Sequence, residues 1–464
     1  MFHYYYGSSK REKEQMETTL LRTIPGVNTW EALRGFSRAG FLDYLGELWQ
    51  RYGDVFQINI FNRHMVVAMH PDAVRHVNVT NRQNYDKLQS YDVVRKFMTG
   101  NGLLTSTGDL WRRQRKLMSP FYTPRGVQAY GEIMLKDGHR LLERWSGLDG
   151  ENVHMGEEMT FVTAAIILRA MFSMETDEAI IRMKTAVETM LGYGGSNQTG
   201  VMVPLWIPTR KNREYVKARE MVHTYIHSVI AQRRALPEAD WPNDLLTRLM
   251  QARDEETGEP MSANLLRDES ITTFFAGHET TARTMTYAWY ALAANPGAAE
   301  KLHAELDSIL GDRTPTLEDL HHLPYTLKVI KEVLRLYPPA PVYIRDAIAE
   351  DKLGDFDTQG LPVLMSPYYT HRHPDFWEDP LAFNPDRWTP EQETKMHPYA
   401  YHPFAAGQRV CIGNNFSLLE SHILLALLAR EYAPRLAPGF TPKFVMRGTL
   451  GTSNGFPMIL ERRS

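Results

Sequence analysis

Phe404-Ala405-Ala406-Gly407-Gln408-Arg409-Val410-Cys411-Ile412-Gly413 is the stretch around which the rest of this 464-residue chain can be ordered. It is irregular, punctuated by two glycines, and runs into an apolar segment of helical periodicity from about residue 414 to 432. Cys411 therefore stands just ahead of a helix start. Free backbone N–H groups and the positive end of the helix dipole there favour a thiolate over a thiol. Gly407 and Gly413 let the backbone turn tightly and approach a flat partner closely. A lone cysteine without context is more often an inert core residue. A cysteine nucleophile would need a histidine base, which 17 histidines leave open. With one cysteine no intramolecular disulfide forms, which fits a reducing compartment.

The composition, 43% hydrophobic and 23% charged, supports a core of real size. A net charge of -3 on so long a chain excludes a global nucleic-acid footprint, so any electrostatic partner must meet a local patch. Residues 1–25 are aromatic and then charged, without the apolar centre of a signal peptide. No stretch approaches 18 uninterrupted apolar residues; the best, 164–172 and 423–429, are short, and Arg169 interrupts the first. These features predict a cytoplasmic protein with no transmembrane anchor. Residues 1–24 are expected to be a lead-in, and 25–464 one domain without repeat or linker.

Periodicity predicts a helix over 41–52, ending at Gly53, then two short strands, 55–60 and 64–68, around a turn at 61–63. Further helices are predicted over 131–148, 157–172, 177–191, 213–236, 265–295 and 324–337. Four glycines and two prolines mark 192–208 as a mobile loop, and 338–403 reads as a long coil. The fold class is mainly α with a small β region.

Two pairs of residues gain meaning from helical spacing. Glu332 and Arg335 share a face at i, i+3, and their neighbours Val329, Ile330, Val333 and Leu334 point to burial rather than to a solvated pair. Trp111 and Arg115 share one at i, i+4. Ala276-Gly277-His278-Glu279-Thr280-Thr281 lies mid-helix. A glycine there costs about 1 kcal/mol and signals close packing or a local opening. A threonine bonded back to a carbonyl can hold such an opening, and an adjacent acid can relay protons. His278 has nothing at metal spacing and reads as a bystander.

The cysteine stretch matches Phe-x-x-Gly-x-Arg-x-Cys-x-Gly in full and resembles the haem-binding loop of the cytochrome P-450 family. It departs at Ala405, where many members have a second glycine, with small size kept. Glu332 and Arg335 resemble that family's Glu-x-x-Arg, with Arg387 of Phe383-Asn384-Pro385-Asp386-Arg387-Trp388 as the third partner of a structural ion pair. Gly277, Glu279 and Thr280 resemble its oxygen-binding groove. Trp111 and Arg115 resemble its Trp-x-x-x-Arg propionate contact, joined by Arg409, Arg345 and Lys87.

The resemblance covers nearly the whole chain and implies the family's triangular prism around one haem b. Cys411 would be the axial thiolate, with Phe404, Gly413, Ala276 and Gly277 against the cofactor. Gly277 would make room for dioxygen, and Glu279 and Thr280 would deliver protons. The implied enzyme is a soluble bacterial-type monooxygenase, expected to be a monomer, with O2 as co-substrate and no fused reductase. Electrons would come from NAD(P)H through a ferredoxin or flavodoxin-type donor and its reductase, docking near Arg112, Arg113 and Lys116. The pocket, with Leu104, Phe275, Ala276, Val342 and Leu450, implies an apolar guest: fatty acid, terpenoid or steroid. A haem carrier without turnover, or a peroxide-using or isomerising member of the fold, stands as the alternative.

Overall fold

Caps and prolines set the ends of the principal helices in this computed structural model, which describes residues 23–196, 203–254 and 256–463. Asn28 caps α1 (Thr29–Ala39) by accepting from the N–H of Glu31. Gly40 (φ +84°) turns the chain into α2 (Phe41–Tyr52), which stops at Gly53 as predicted. Then follow α3 (Gly108–Met118), α4 (Gly131–Trp145), α5 (Met155–Phe172) and α6 (Asp177–Ser196). Thr209 caps α7 (Arg210–Arg234) and Ser262 caps the 32-residue α8 (Ala263–Ala294). Pro296 opens α9 (Pro296–Leu310), a helix not anticipated from the sequence, and Pro324 opens α10 (Pro324–Leu336). The last is α11 (Asn414–Glu431).

Most predicted helix bounds hold to within three residues. The exceptions have local causes. α6 continues through residues 192–196 of the expected loop; residues 197–202 lie outside the described residues, and 203–208 are tied down. There Asn212 donates from Nδ2 to the carbonyls of Pro204 and Ile207, both at 2.8 Å.

α5 and α8 are buried on nearly all faces and pack along one another in the main core, with α4 and α11 against them. Beside this helical body lies a six-stranded sheet: β1 (Gly26–Val27), β2 (Val55–Ile60), β3 (Arg63–Ala68), β4 (Tyr85–Asp86), β5 (Tyr343–Ala347) and β6 (Val363–Met365), in the order β1-β2-β3-β6-β5-β4. β3 starts one residue earlier than expected because the hairpin needs only two turn residues, with Phe61 at φ +50°. β4 pairs antiparallel with β5, setting Asp86 opposite Asp346. A second hairpin, β7 (Phe444–Arg447) and β8 (Thr449–Thr452), turns at Gly448 (φ +86°). Among the described residues no single helix is long and apolar enough to cross a membrane.

Candidate active site

The loop before α11 closes on itself: Cys411 N–H donates to the Phe404 carbonyl at 2.9 Å, and Val410 N–H to that of Gly407 at 3.0 Å. Gly407 has φ +66°, and a Cβ there would lie 1.9 Å from the Asn78 carbonyl oxygen, so nothing larger fits. Ala405 also has a left-handed backbone, φ +60°. Its departure from the family glycine therefore carries backbone strain, which small size alone does not remove.

The Cys411 side chain is open on one side. Protein around the rest of it pushes the thiol up, outweighing the Gly413 N–H, Arg115 and Lys87, which pull it down. Its place before the helix, expected to favour the thiolate, is thus not sufficient by itself. A coordinated metal would deprotonate the sulfur outright. Among the described residues no three His, Cys, Asp or Glu side chains converge as a metal site. His278 is buried, with Nδ1 on the Phe274 carbonyl at 2.9 Å and its ring stacked on Phe274.

Lys87, Arg345 and Arg409 reach one place from three distant parts of the chain. Pairing of β4 with β5 brings Asp86 and Lys87 beside Arg345, and the cysteine loop supplies Arg409. Lys87 is 8% exposed and Arg345 3%; the Arg409 side chain is 5% exposed. Arg409 pairs with Asp86, donates to the Ser106 carbonyl at 2.9 Å and lies 3.8 Å over the Trp111 ring, while its Nε has no partner. Lys87 donates to the Leu104 carbonyl at 2.8 Å; burial holds its ammonium pKa well down, and Arg345 and Arg409 add to this. Burial first, then repulsion from Arg345, brings Arg409 to about 10, against the pull of Asp86.

Of these three buried basic groups only Arg409 has a carboxylate partner, Asp86, while Asp346 opposite it is taken up by the Leu88 and Ser90 N–H groups and the Ser90 hydroxyl. Such an imbalance is costly unless anions complete it. The propionates of a haem would supply anionic partners for Lys87, Arg345 and Arg409, so these residues fit that cofactor. Arg115 points elsewhere, to the Val410 carbonyl at 2.8 Å, and so braces the cysteine loop.

On α8, Thr280 Oγ1 donates to the Ala276 carbonyl at 2.7 Å. Glu279 turns toward β8, accepting from Thr449 Oγ1 at 2.7 Å, with Arg283 3.5 Å away. Neither partner was singled out from the sequence: the Thr449 contact depends on where the second hairpin lands, whereas Arg283 follows Glu279 at i, i+4 on the same helix. At Gly277 a Cβ would meet Ile167 of α5 at 3.1 Å, so the missing side chain lets the two helices pack closely. Leu450 needs correction: it is fully buried in the main core and lines no open pocket. Leu104, Phe275, Ala276 and Val342 are half-buried.

Behind this site Glu332 and Arg335 are fully buried and bidentate, at 2.8 and 2.9 Å. Arg387 joins Glu332 at 3.0 Å, as do the Trp388 indole N–H at 3.0 Å and the Asn384 N–H at 2.9 Å. Arg335 spends its remaining donors on the carbonyls of His371, Pro380 and Ala382. His371, not singled out from the sequence, accepts at Nε2 from the His402 N–H at 2.9 Å and so links this network to the approach to the cysteine loop.

The cytochrome P450 family model matches residues 25–456. The chain is 34% identical to cyclooctatin synthase of Streptomyces melanosporofaciens, covering 86% of each chain. It is 33% identical to cyclooctat-9-en-7-ol 5-monooxygenase of the same organism, covering 90% of this chain and 93% of the relative. The crystallised cytochrome P450DA heme domain superposes with a TM-score of 0.88 at 25% identity, over 96% of this chain and 98% of that one. Together with the self-closed cysteine loop, these matches establish that the chain belongs to the cytochrome P450 family and is a haem-dependent monooxygenase.

Proposed function

We propose that this monooxygenase places one oxygen atom of O2 on an apolar terpenoid, taking electrons from a separate ferredoxin or flavodoxin-type protein and its NAD(P)H-dependent reductase. Two relatives named for cyclooctatin chemistry favour the terpenoid class over fatty acid or steroid. The observation that carries the oxygenase reading is the Thr280 hydroxyl anchored on the Ala276 carbonyl beside Glu279. Cys411 would hold a haem, with Lys87, Arg345 and Arg409 as partners for its propionates, and the haem would supply the activation of dioxygen. Thr280 then offers a hydroxyl fixed within the long helix, able to organise a water and pass a proton. Glu279, steadied by Thr449 and Arg283, restores that proton from the hairpin side. Leu104 and Phe275 exclude water and set the guest's orientation.

Of the basic patch proposed for the electron donor, Arg112 pairs with Asp109 across an exposed helical turn, a contact worth little, and so stays available. Arg113 is engaged by Asp254 at 2.8 Å. Steering by Arg112 should weaken with salt.

Thr280→Ala tests the reading. The variant should bind haem and substrate and accept electrons, yet consume reduced cofactor while releasing peroxide or water. Each tenfold fall in coupled rate corresponds to about 1.4 kcal/mol of lost transition-state stabilisation. Wild-type coupling in Thr280→Ala would refute the role. Turnover on added peroxide alone at the electron-driven rate would point to the peroxide-using alternative.

A further inference from the structure

Residues 100–105, just before α3, are held against α8 by buried charged groups. Asp268 accepts the Asn101 N–H at 2.9 Å and Glu269 accepts the Leu103 N–H at 3.0 Å. From the other side Lys87 donates to the Leu104 carbonyl at 2.8 Å and Arg95 to the Thr105 carbonyl at 2.7 Å. The segment lies directly on the helix: a Cβ at Gly102 would fall 2.0 Å from Thr272 Oγ1 and 2.8 Å from the Asp268 carbonyl oxygen. Leu104 stands between the anchored ends.

Glu269 is the unusual member of this set. It is fully buried, its second carboxylate oxygen has no partner, and among the described residues no cation reaches it. Burial pushes its carboxyl up to about 8, Asp268 adding to the effect and the Leu103 N–H opposing it. An acid kept in such a place costs stability at neutral pH, and groups of this kind cluster at functional sites.

We infer that Glu269 is a positioning residue of the substrate pocket: its bond to the Leu103 amide holds the backbone that presents Leu104, and thereby sets which atom of the substrate is oxidised. The inference rests on the proposed role of Leu104 over the reacting centre. Gln at 269 retains an acceptor for the amide; Leu matches the volume and has none.

The holoenzymes of wild type, Glu269→Gln, Glu269→Leu and Leu104→Phe are compared. Farnesol, lauric acid and progesterone serve as probes, and product ratios come from whichever the wild type oxidises at more than one position. Amide exchange is followed in the peptide spanning 100–105. Glu269→Leu should exchange at least tenfold faster there and shift the product ratio at least threefold with its carbon monoxide band intact, while Glu269→Gln stays near wild type. Wild-type exchange and ratio in Glu269→Leu overturn the inference, as does a Gln variant as disturbed as the Leu one. If Leu104→Phe shifts products and Glu269→Leu does not, Glu269 has no such role and the reading of Leu104 stands. Unchanged products in both variants remove both. Should Glu269→Leu fail to take up haem, the wild-type ratio measured from pH 6.5 to 9.5 decides. It should drift near pH 8, where Glu269 titrates between Asp268 beside it and Tyr122 facing it, and Glu269→Gln should not drift. A drift in both, or in neither, overturns the inference.

Discussion

Two buried charge networks differ in whether they are complete. Around Glu332 each carboxylate oxygen meets Arg335 and either Arg387 or Trp388, and Arg335 ends on three backbone carbonyls. Of Lys87, Arg345 and Arg409 only Arg409 pairs with a carboxylate, Asp86, and its Nε has no partner. Burial is similar in both. A network that satisfies itself fixes structure, while one left with excess charge marks where an anionic ligand belongs.

The largest effect should come from breaking the complete network. Glu332→Ala strands two buried guanidinium groups, a loss of about 3–5 kcal/mol. Denaturant midpoints should fall steeply, and little protein should show the red-shifted carbon monoxide band of thiolate-bound haem. A variant with wild-type midpoint and haem content would show that the network is not structural.

The incomplete network should respond with opposite signs in two states. Arg345→Leu removes an uncompensated buried charge, so the apoprotein should gain about 1 kcal/mol or more. Loss of haem to apomyoglobin should meanwhile speed up about tenfold, which is roughly 1.4 kcal/mol of lost holding. If apo and holo forms shift in the same direction, the excess charge is not what the cofactor answers.

Glu269 sharpens the comparison, since it is a buried charge of the other sign with no cation beside it. Its folded pKa, about 8, lies above the ordinary 4.5, so protons bind more tightly to the folded state. Its favourable contribution is therefore complete below pH 4.5 and lost as pH rises to 8. The expected loss is a few kcal/mol, at about 1.4 kcal/mol per pH unit. The stability of wild type minus that of Glu269→Gln, from denaturation at pH 5, 6.5 and 8, should fall across this window. A flat difference would mean that Glu269 is not held protonated.

The smallest effect is expected at Ala405. Glycine relieves its φ of +60°, so Ala405→Gly should raise the unfolding midpoint by the equivalent of about 1 kcal/mol or less. A lower midpoint would show that the loop tolerates alanine without strain.

Much of the site was legible in the sequence because its motifs are short-range. The Glu332–Arg335 pair follows from helical spacing alone, and Arg387 from a nearby proline-rich run. Trp388 stood in that same run and could have been included. So could Arg283, four residues after Glu279 on α8, but Thr449 could not, since nothing local ties a hairpin near the C-terminus to an acid on α8. Leu450 was misread as pocket lining because burial is a property of neighbours, not of residue type.

By itself the sequence determined the cysteine loop, the helix caps and the shared faces of α10, all of which depend on backbone geometry over a few residues. Only the tertiary structure decided that Gly277 packs against Ile167, that Glu269 accepts from the Leu103 N–H, and that Lys87, Arg345 and Arg409 come together. Charge balance and close packing are sums over atoms brought together from distant parts of the chain. No local pattern carries them.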